Sequence, residues 1–239
     1  MGKLKFFATV GGYLLRHVGD AKKMKKLRES NDTQARLKLM RETYDKAREL
    51  LEQRLGTRVE IHGLENVPEA PVLFVANHSG MFDALVMSAM PGPCGFVLKK
   101  EHQKIPLAAK YLNEMNCVFI DRENPRAAAE AINKACEIIK QGQSMIIFPE
   151  GTRSRCSEVG EFKNGALRIA QKTKVPIVPV AIDRAYRLWE EKGTIVEGTV
   201  RANILPPVEL KSMERSEYKS LGPRIREMIV EELARMMES

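Results

Sequence analysis

The chain has 239 residues, 44% of them hydrophobic and 29% charged, a composition that fits one large domain or one domain with an extension and excludes a disordered chain. The net charge of +8 calls for an anionic partner, a description that nucleic acid, an acidic lipid surface and phosphorylated small molecules all satisfy. Cys94, Cys117, Cys136 and Cys156 form no C-x-x-C pair, which excludes the common zinc and dithiol motifs and points to a reducing, cytosolic setting.

The first element is a mostly apolar stretch from Phe6 to Leu15, flanked by Lys3, Lys5, Arg16 and His17. It is much shorter than the roughly 20 residues that cross a bilayer. It also lacks the small-residue cleavage site of a secretory signal. Gly19 and Asp20 are expected to separate it from the basic run Lys22-Lys23-Met24-Lys25-Lys26-Leu27-Arg28. Residues 3–28 fit two roles equally well, a core helix and a helix lying on a membrane surface, because apolar and basic residues are concentrated together. Asn31 or Asp32 stands where a second helical stretch needs a cap. In that stretch Leu37, Met40, Tyr44, Ala47 and Leu51 recur at steps of three and four, giving one apolar stripe expected to pack on the domain. Residues 1–56 are therefore read as an N-terminal amphipathic helical region for membrane association, and residues 57–239 as the remaining domain.

From Thr57 onward, short apolar strands alternate with helical patterns. The expected strands are Arg58–His62, Pro71–Ala76, Gly95–Leu98, Cys117–Ile120, Ser144–Phe148, Ile177–Ile182 and Gly198–Ile204. Helices are expected near 82–89, 106–114, 126–141 and 164–173, with a last one near 214–237. This alternation predicts an α/β fold with a mostly parallel central sheet flanked by helices, carrying the N-terminal helical extension on a membrane surface. Ligand sites in such sheets gather at the carboxyl ends of the strands. His78, Arg122 and Glu150 each follow a predicted strand, so one shared cleft is expected.

His78 and Asp83 lie in Asn77-His78-Ser79-Gly80-Met81-Phe82-Asp83. Five positions apart, they point away from each other in a regular helix. They meet if His78 ends a strand, Gly80 allows a tight turn and Asp83 opens the next helix. The carboxylate then fixes the imidazole tautomer and leaves the other ring nitrogen to take a proton. Taken alone, the pair fits a structural histidine beside a helix-terminal charge better. Ser79 is the nearest residue of nucleophilic type, and it sits in no nucleophile motif.

The run Phe148-Pro149-Glu150-Gly151-Thr152-Arg153-Ser154 is more specific. Proline ends the strand, Gly151 allows close approach of the backbone to a ligand, and Arg153 offers a planar fork that matches a phosphate. Glu150 suits either of two tasks, accepting hydrogen bonds from substrate hydroxyls or holding an arginine. Arg122 and Lys99 are further candidates for the same anion; a surface ion pair for the first and a solvated strand end for the second fit nearly as well. Lys100 and Lys163 stand in similar positions. The strand in Val175-Pro176-Ile177-Val178-Pro179-Val180 carries two prolines, which belong at an edge or at an irregular start.

With these motifs in this order, residues 57–210 resemble the glycerolipid acyltransferase family, most closely its 1-acyl-sn-glycerol-3-phosphate acyltransferases. Asn77 through Asp83, Phe119-Ile120-Asp121-Arg122, Phe148 through Ser154 and Val175 through Pro179 match its four motifs. The resemblance implies transfer of an acyl group from a thioester, acyl-CoA or acyl carrier protein, to the sn-2 hydroxyl of lysophosphatidic acid, giving phosphatidic acid. It implies His78 as base, Asp83 as its orienter, and Arg122, Glu150, Gly151 and Arg153 around the glycerol phosphate; Thr152 and Lys99 are expected beside them from their positions in the chain. It implies no metal and no cofactor beyond the acyl co-substrate. The partners it implies are an anionic membrane surface and these substrates, not nucleic acid. The place it implies is the cytoplasmic face of the membrane, held peripherally or monotopically by the N-terminal helices.

Overall fold

The computed structural model describes residues 3–238. Three helices precede the first strand: α1 (Lys3–Arg16), α2 (Val18–Glu29) and α3 (Thr33–Leu55). The break between the first two falls at His17, not at Gly19 and Asp20 as expected; those two lie in the first turn of α2. There the Asp20 carboxylate faces the positive end of the helix and accepts a hydrogen bond from His17 Nδ1 at 3.0 Å, so it starts the helix instead of stopping the previous one. Asp32 caps α3 by accepting from the Ala35 N–H at 3.1 Å, and Asn31 takes the left-handed turn before it. Gly56, at φ +64°, closes the helix.

All seven expected strands form: β1 (Thr57–His62), β2 (Leu73–Ala76), β3 (Gly95–Lys99), β4 (Val118–Ile120), β5 (Met145–Ile147), β6 (Ile177–Ile182) and β7 (Gly198–Ile204). They make one sheet in the order β1-β7-β6-β2-β5-β3-β4, parallel at every pairing except β6 with β7. The helices of this part are α4 (Asp83–Met87), α5 (Pro106–Glu114), α6 (Pro125–Lys140), α7 (Arg168–Thr173) and α8 (Leu221–Glu238). Helix α8 starts later than its pattern predicts. Arg215–Lys219 forms a separate 3-10 turn, because Glu214 and Glu217 cap each other's backbone there.

Central strands are apolar throughout because both faces of the sheet are covered. Phe74, Ala76, Ile146 and Val178 point to the side of α2 and α3, where Met24, Leu39, Met40 and Leu55 join the same cluster. Leu73, Val75, Met145, Ile147 and Ile177 point to the side of α6, α7 and α8. The stripe on α3 thus packs on the domain as expected, through Met40 with Leu37, Tyr44 and Leu51 beside it.

Pro179 sits inside a fully buried interior strand. Its carbonyl accepts from the Leu205 N–H at 2.9 Å, one residue past the end of β7. Its ring nitrogen therefore faces the place where the neighbouring strand runs out, and the ladder loses one bond at its margin.

Candidate active site

Strand β2 ends at Ala76 and delivers Asn77 and His78 to the carboxyl edge of the sheet. Asn77 pins this exit to β6: its Nδ2 donates to the Ile182 carbonyl at 3.0 Å and its Oδ1 accepts from the Ile182 N–H at 2.8 Å. Gly80 makes the next turn where only glycine fits, since a Cβ there would lie 2.8 Å from the Tyr186 nitrogen. The chain then enters α4 with Asp83, which is fully buried.

His78 Nδ1 lies 2.7 Å from Asp83 Oδ2, and the Gly80 N–H donates to the same oxygen at 2.8 Å. A carboxylate that already accepts a backbone N–H receives the ring proton on Nδ1, which leaves Nε2 as the basic nitrogen. Nε2 has no protein partner among the described residues. Phe148 stacks on the imidazole with centroids 4.1 Å apart and planes 16° from parallel, so tautomer and ring plane are both fixed. Ser79 is buried with its hydroxyl 3.5 Å from Asp83 Oδ1. Burial pushes the thiols of Cys94 and Cys117 up to about 12, which leaves them poor nucleophiles.

The second loop follows β5. Glu150 is 6% exposed, and both of its oxygens are engaged by backbone. One accepts from the His78 N–H at 2.6 Å and the other from the Gly160 N–H at 2.9 Å. Burial raises its pKa above the ordinary carboxylate value, and these two donors oppose that shift. Of the two tasks expected for Glu150, holding an arginine is not what its oxygens do here. Two further bonds join the loops: the Ser154 N–H donates to the His78 carbonyl at 2.8 Å and the Arg155 N–H to the Ser79 carbonyl at 3.1 Å.

Gly151, at φ +78°, lets the Arg122 guanidinium lie directly over its backbone; a Cβ there would be 1.4 Å from Arg122 Nη1. Among the described residues Arg122 has no acidic partner within 4 Å. Arg153 is ion-paired, its Nη1 donating to Glu190 Oε1 at 2.7 Å. The same oxygen accepts the Met81 N–H at 2.8 Å, and Glu190 Oε2 is buried without a partner.

His78, Lys99, Arg122, Gly151, Thr152 and Arg153 all line one cavity of about 280 Å³, with Met81, Ala84, Phe96 and Leu98 forming its apolar wall. Asp83 stands behind His78. Glu150 lines an adjoining cavity of about 250 Å³ together with Lys163. Lys100 turns aside to Asp121 and Glu123, at 2.9 and 3.6 Å. His102 and Arg155 also line the first cavity, and sequence reasoning passed over both. It also passed over Glu190, although Asn77 was legible as part of its motif. His102 follows Lys99 and Lys100 at a strand end, a signal that was available. Glu190 carries none.

The acyltransferase family model matches residues 58–183. A probable 1-acyl-sn-glycerol-3-phosphate acyltransferase of Mycoplasma pneumoniae is 42% identical over 151 residues, covering 61% of this chain and 56% of that one. The 1-acyl-sn-glycerol-3-phosphate acyltransferase of Saccharomyces cerevisiae is 30% identical over 184 residues, 75% of this chain and 61% of its own. That of Borreliella burgdorferi is 30% identical over 182 residues, 74% of this chain and 72% of its own. The chain thus spans 56% and 61% of the first two of these relatives. Among solved structures, the 1-acyl-sn-glycerophosphate acyltransferase PlsC of Thermotoga maritima superimposes with a TM-score of 0.79 at 27% identity, over 98% of this chain and 94% of that one.

Proposed function

This chain belongs to the acyltransferase family, and from that premise we propose that it acylates the sn-2 hydroxyl of lysophosphatidate from an acyl thioester. One observation carries the reading: the free nitrogen of an oriented imidazole and the guanidinium groups of Arg122, Arg153 and Arg155 share one cavity with an apolar wall. A phosphate needs the arginines, an acyl chain needs the wall, and an alcohol needs the base.

His78 Nε2 takes the hydroxyl proton as the oxygen attacks the thioester carbonyl carbon. Buried Asp83 holds the imidazolium that forms. The tetrahedral intermediate collapses, the C–S bond breaks, and the thiolate leaves with the proton returned from His78. Atoms and charge balance, with an ester and a free thiol as products. Arg122, Lys99 and Arg153 receive the phosphate, with Gly151 and Thr152 bringing the backbone close. Glu150 acts on the reaction through the two backbone segments it holds. Either acyl-CoA or acyl carrier protein satisfies this chemistry as donor.

Both lipids live in a bilayer, and α1 offers a way to reach them. Leu4, Phe7 and Leu15 are 82%, 57% and 66% exposed, and Lys22, Lys23, Lys25 and Lys26 are exposed on α2. Among the described residues no helix is long and apolar enough to cross a membrane. The arrangement suits a helix lying in the interface, on the side that holds the thioester donors.

The test is thiol release from acyl-CoA and from acyl carrier protein, with lysophosphatidate, glycerol 3-phosphate and lysophosphatidylcholine competing as acceptors. Lysophosphatidate is expected to be consumed first. His78→Ala is expected to lower kcat by about 10³-fold or more with unchanged circular dichroism, and Asp83→Asn to follow it. Full activity in His78→Ala would remove the imidazole from the mechanism.

A further inference from the structure

Away from the His78 cleft, α1, α3 and α5 enclose a second pair of adjoining hollows. The outer one is an open groove of about 640 Å³ between α1 and α3. Lys5, Arg16, His17, Lys46 and Arg54 line it against a single acid, Glu49. Among the described residues Arg16, Lys46 and Arg54 have no acidic partner within 4 Å. The inner hollow is a cavity of about 220 Å³ walled by side chains such as Val10, Leu14, Leu51, Leu112 and Met115. Thr9, Tyr13 and Leu50 line both, so the two adjoin. Neither shares a lining residue with the His78 cleft.

We propose that groove and cavity together form a binding site for a single-chain anionic amphiphile, its carboxylate or phosphate head among the basic residues and its tail in the cavity. The inner wall is largely apolar because four of the five hydroxyl side chains on it are already used. Tyr13 donates to the Thr43 carbonyl at 2.9 Å, Tyr44 to Cys94 at 2.8 Å, Tyr111 to Leu14 at 3.2 Å and Thr43 to Leu39 at 2.8 Å. A water molecule needs two to four polar partners, so this cavity suits hydrocarbon and not solvent. The outer rim has the opposite character, with cations in excess and room around them.

Helix α1 leaves open space at two positions. Gly11 and Gly12 lie in its interior, where glycine weakens a helix. No atom approaches within 4 Å of where either Cβ would stand. Nothing else in the fold requires their small size, and Gly12 lines the groove. Tyr44 and Phe96, with ring centroids 6.3 Å apart, stand between the cavity and the His78 cleft. The site is therefore separate from the reaction, and the proposal holds whether or not the acyl-transfer reading does.

The experiment counts dodecyl phosphate bound by the full chain in equilibrium dialysis, below the aggregation concentration of the probe. Gly12→Leu adds a side chain to the groove at a position where the Cβ meets open space, and is expected to bind one equivalent less than the wild-type chain. Charge reversal at two exposed rim positions, Lys46→Glu with Arg54→Glu, is expected to weaken that same equivalent at least tenfold. Inorganic phosphate and dodecanol, each half of the ligand, are expected to bind there more than tenfold more weakly. A photoreactive dodecyl phosphate is expected to label peptides of α1, α3 and α5. Labelling from solution identifies a free amphiphile as occupant; labelling only from phosphatidylcholine vesicles carrying the probe identifies a lipid drawn from the bilayer. Unchanged stoichiometry in Gly12→Leu, or label confined to the walls of the His78 cleft, would overturn the proposal. Acyl transfer assayed on the same variants keeps this outcome apart from the fate of the catalytic reading.

Discussion

At the scale of single residues, Gly151 is the most constrained position in the cleft. Its φ of +78° and the Arg122 guanidinium lying over it both exclude a side chain. Gly151→Ala must displace Arg122, the residue proposed to receive the phosphate. The KM for a phosphate-bearing acceptor is expected to rise about 10- to 100-fold, the worth of one charge-assisted hydrogen bond, with a smaller change in kcat. Steady-state kinetics against acceptor concentration decides; an unchanged KM would place the phosphate elsewhere. His78, Asp83 and the residues from Phe148 to Ser154 were legible in sequence because each acts within a few positions of its partner or at a strand end. Glu190 was not, because its partner Arg153 lies 37 positions away and nothing local marks it. The strap role of Glu150 was hidden for the same reason, as His78 is 72 positions upstream.

At the scale of elements, the N-terminal helices are fastened to the sheet domain by a polar network. Arg28 forks onto the Glu114 carboxylate at 3.1 and 3.2 Å. Buried Arg36 donates to the Glu114 carbonyl and to Asn116 Oδ1, both at 2.6 Å. Asn116 passes the contact on to Gln143 at 2.6 Å. Arg36→Ala leaves two buried acceptors without a donor and is expected to cost about 2 kcal/mol. The readout is a lower urea midpoint at an unchanged m-value; a fall in m would mean instead that the helices detach on their own. The strands were readable because their apolar runs end at turn residues. The boundary at His17 and the late start of α8 were not. Both depend on which carboxylate caps which backbone group, a choice between neighbouring positions that periodicity does not make.

At the scale of the whole molecule, the proposed placement of α1 on a membrane predicts that a net charge of +8 and the exposed apolar face of this helix act together there. Charges attract over about a Debye length, which shrinks from about 10 Å at 0.1 M salt to about 3 Å at 1 M. Binding to vesicles rich in anionic lipid is expected to weaken at least about tenfold between these salt concentrations, while weak binding to zwitterionic vesicles stays nearly constant. Co-sedimentation measures both, and salt-independent binding to anionic vesicles would leave only the apolar contribution. Glu150 has a consequence at this scale as well. One carboxylate rivets the stretch that presents the imidazole to the segment that carries the anion grip, with two more backbone bonds beside it. On the proposed function, a joint fastened in this way is expected to hold its contour when a guest arrives, so discrimination among guests would rest on a shape set during folding.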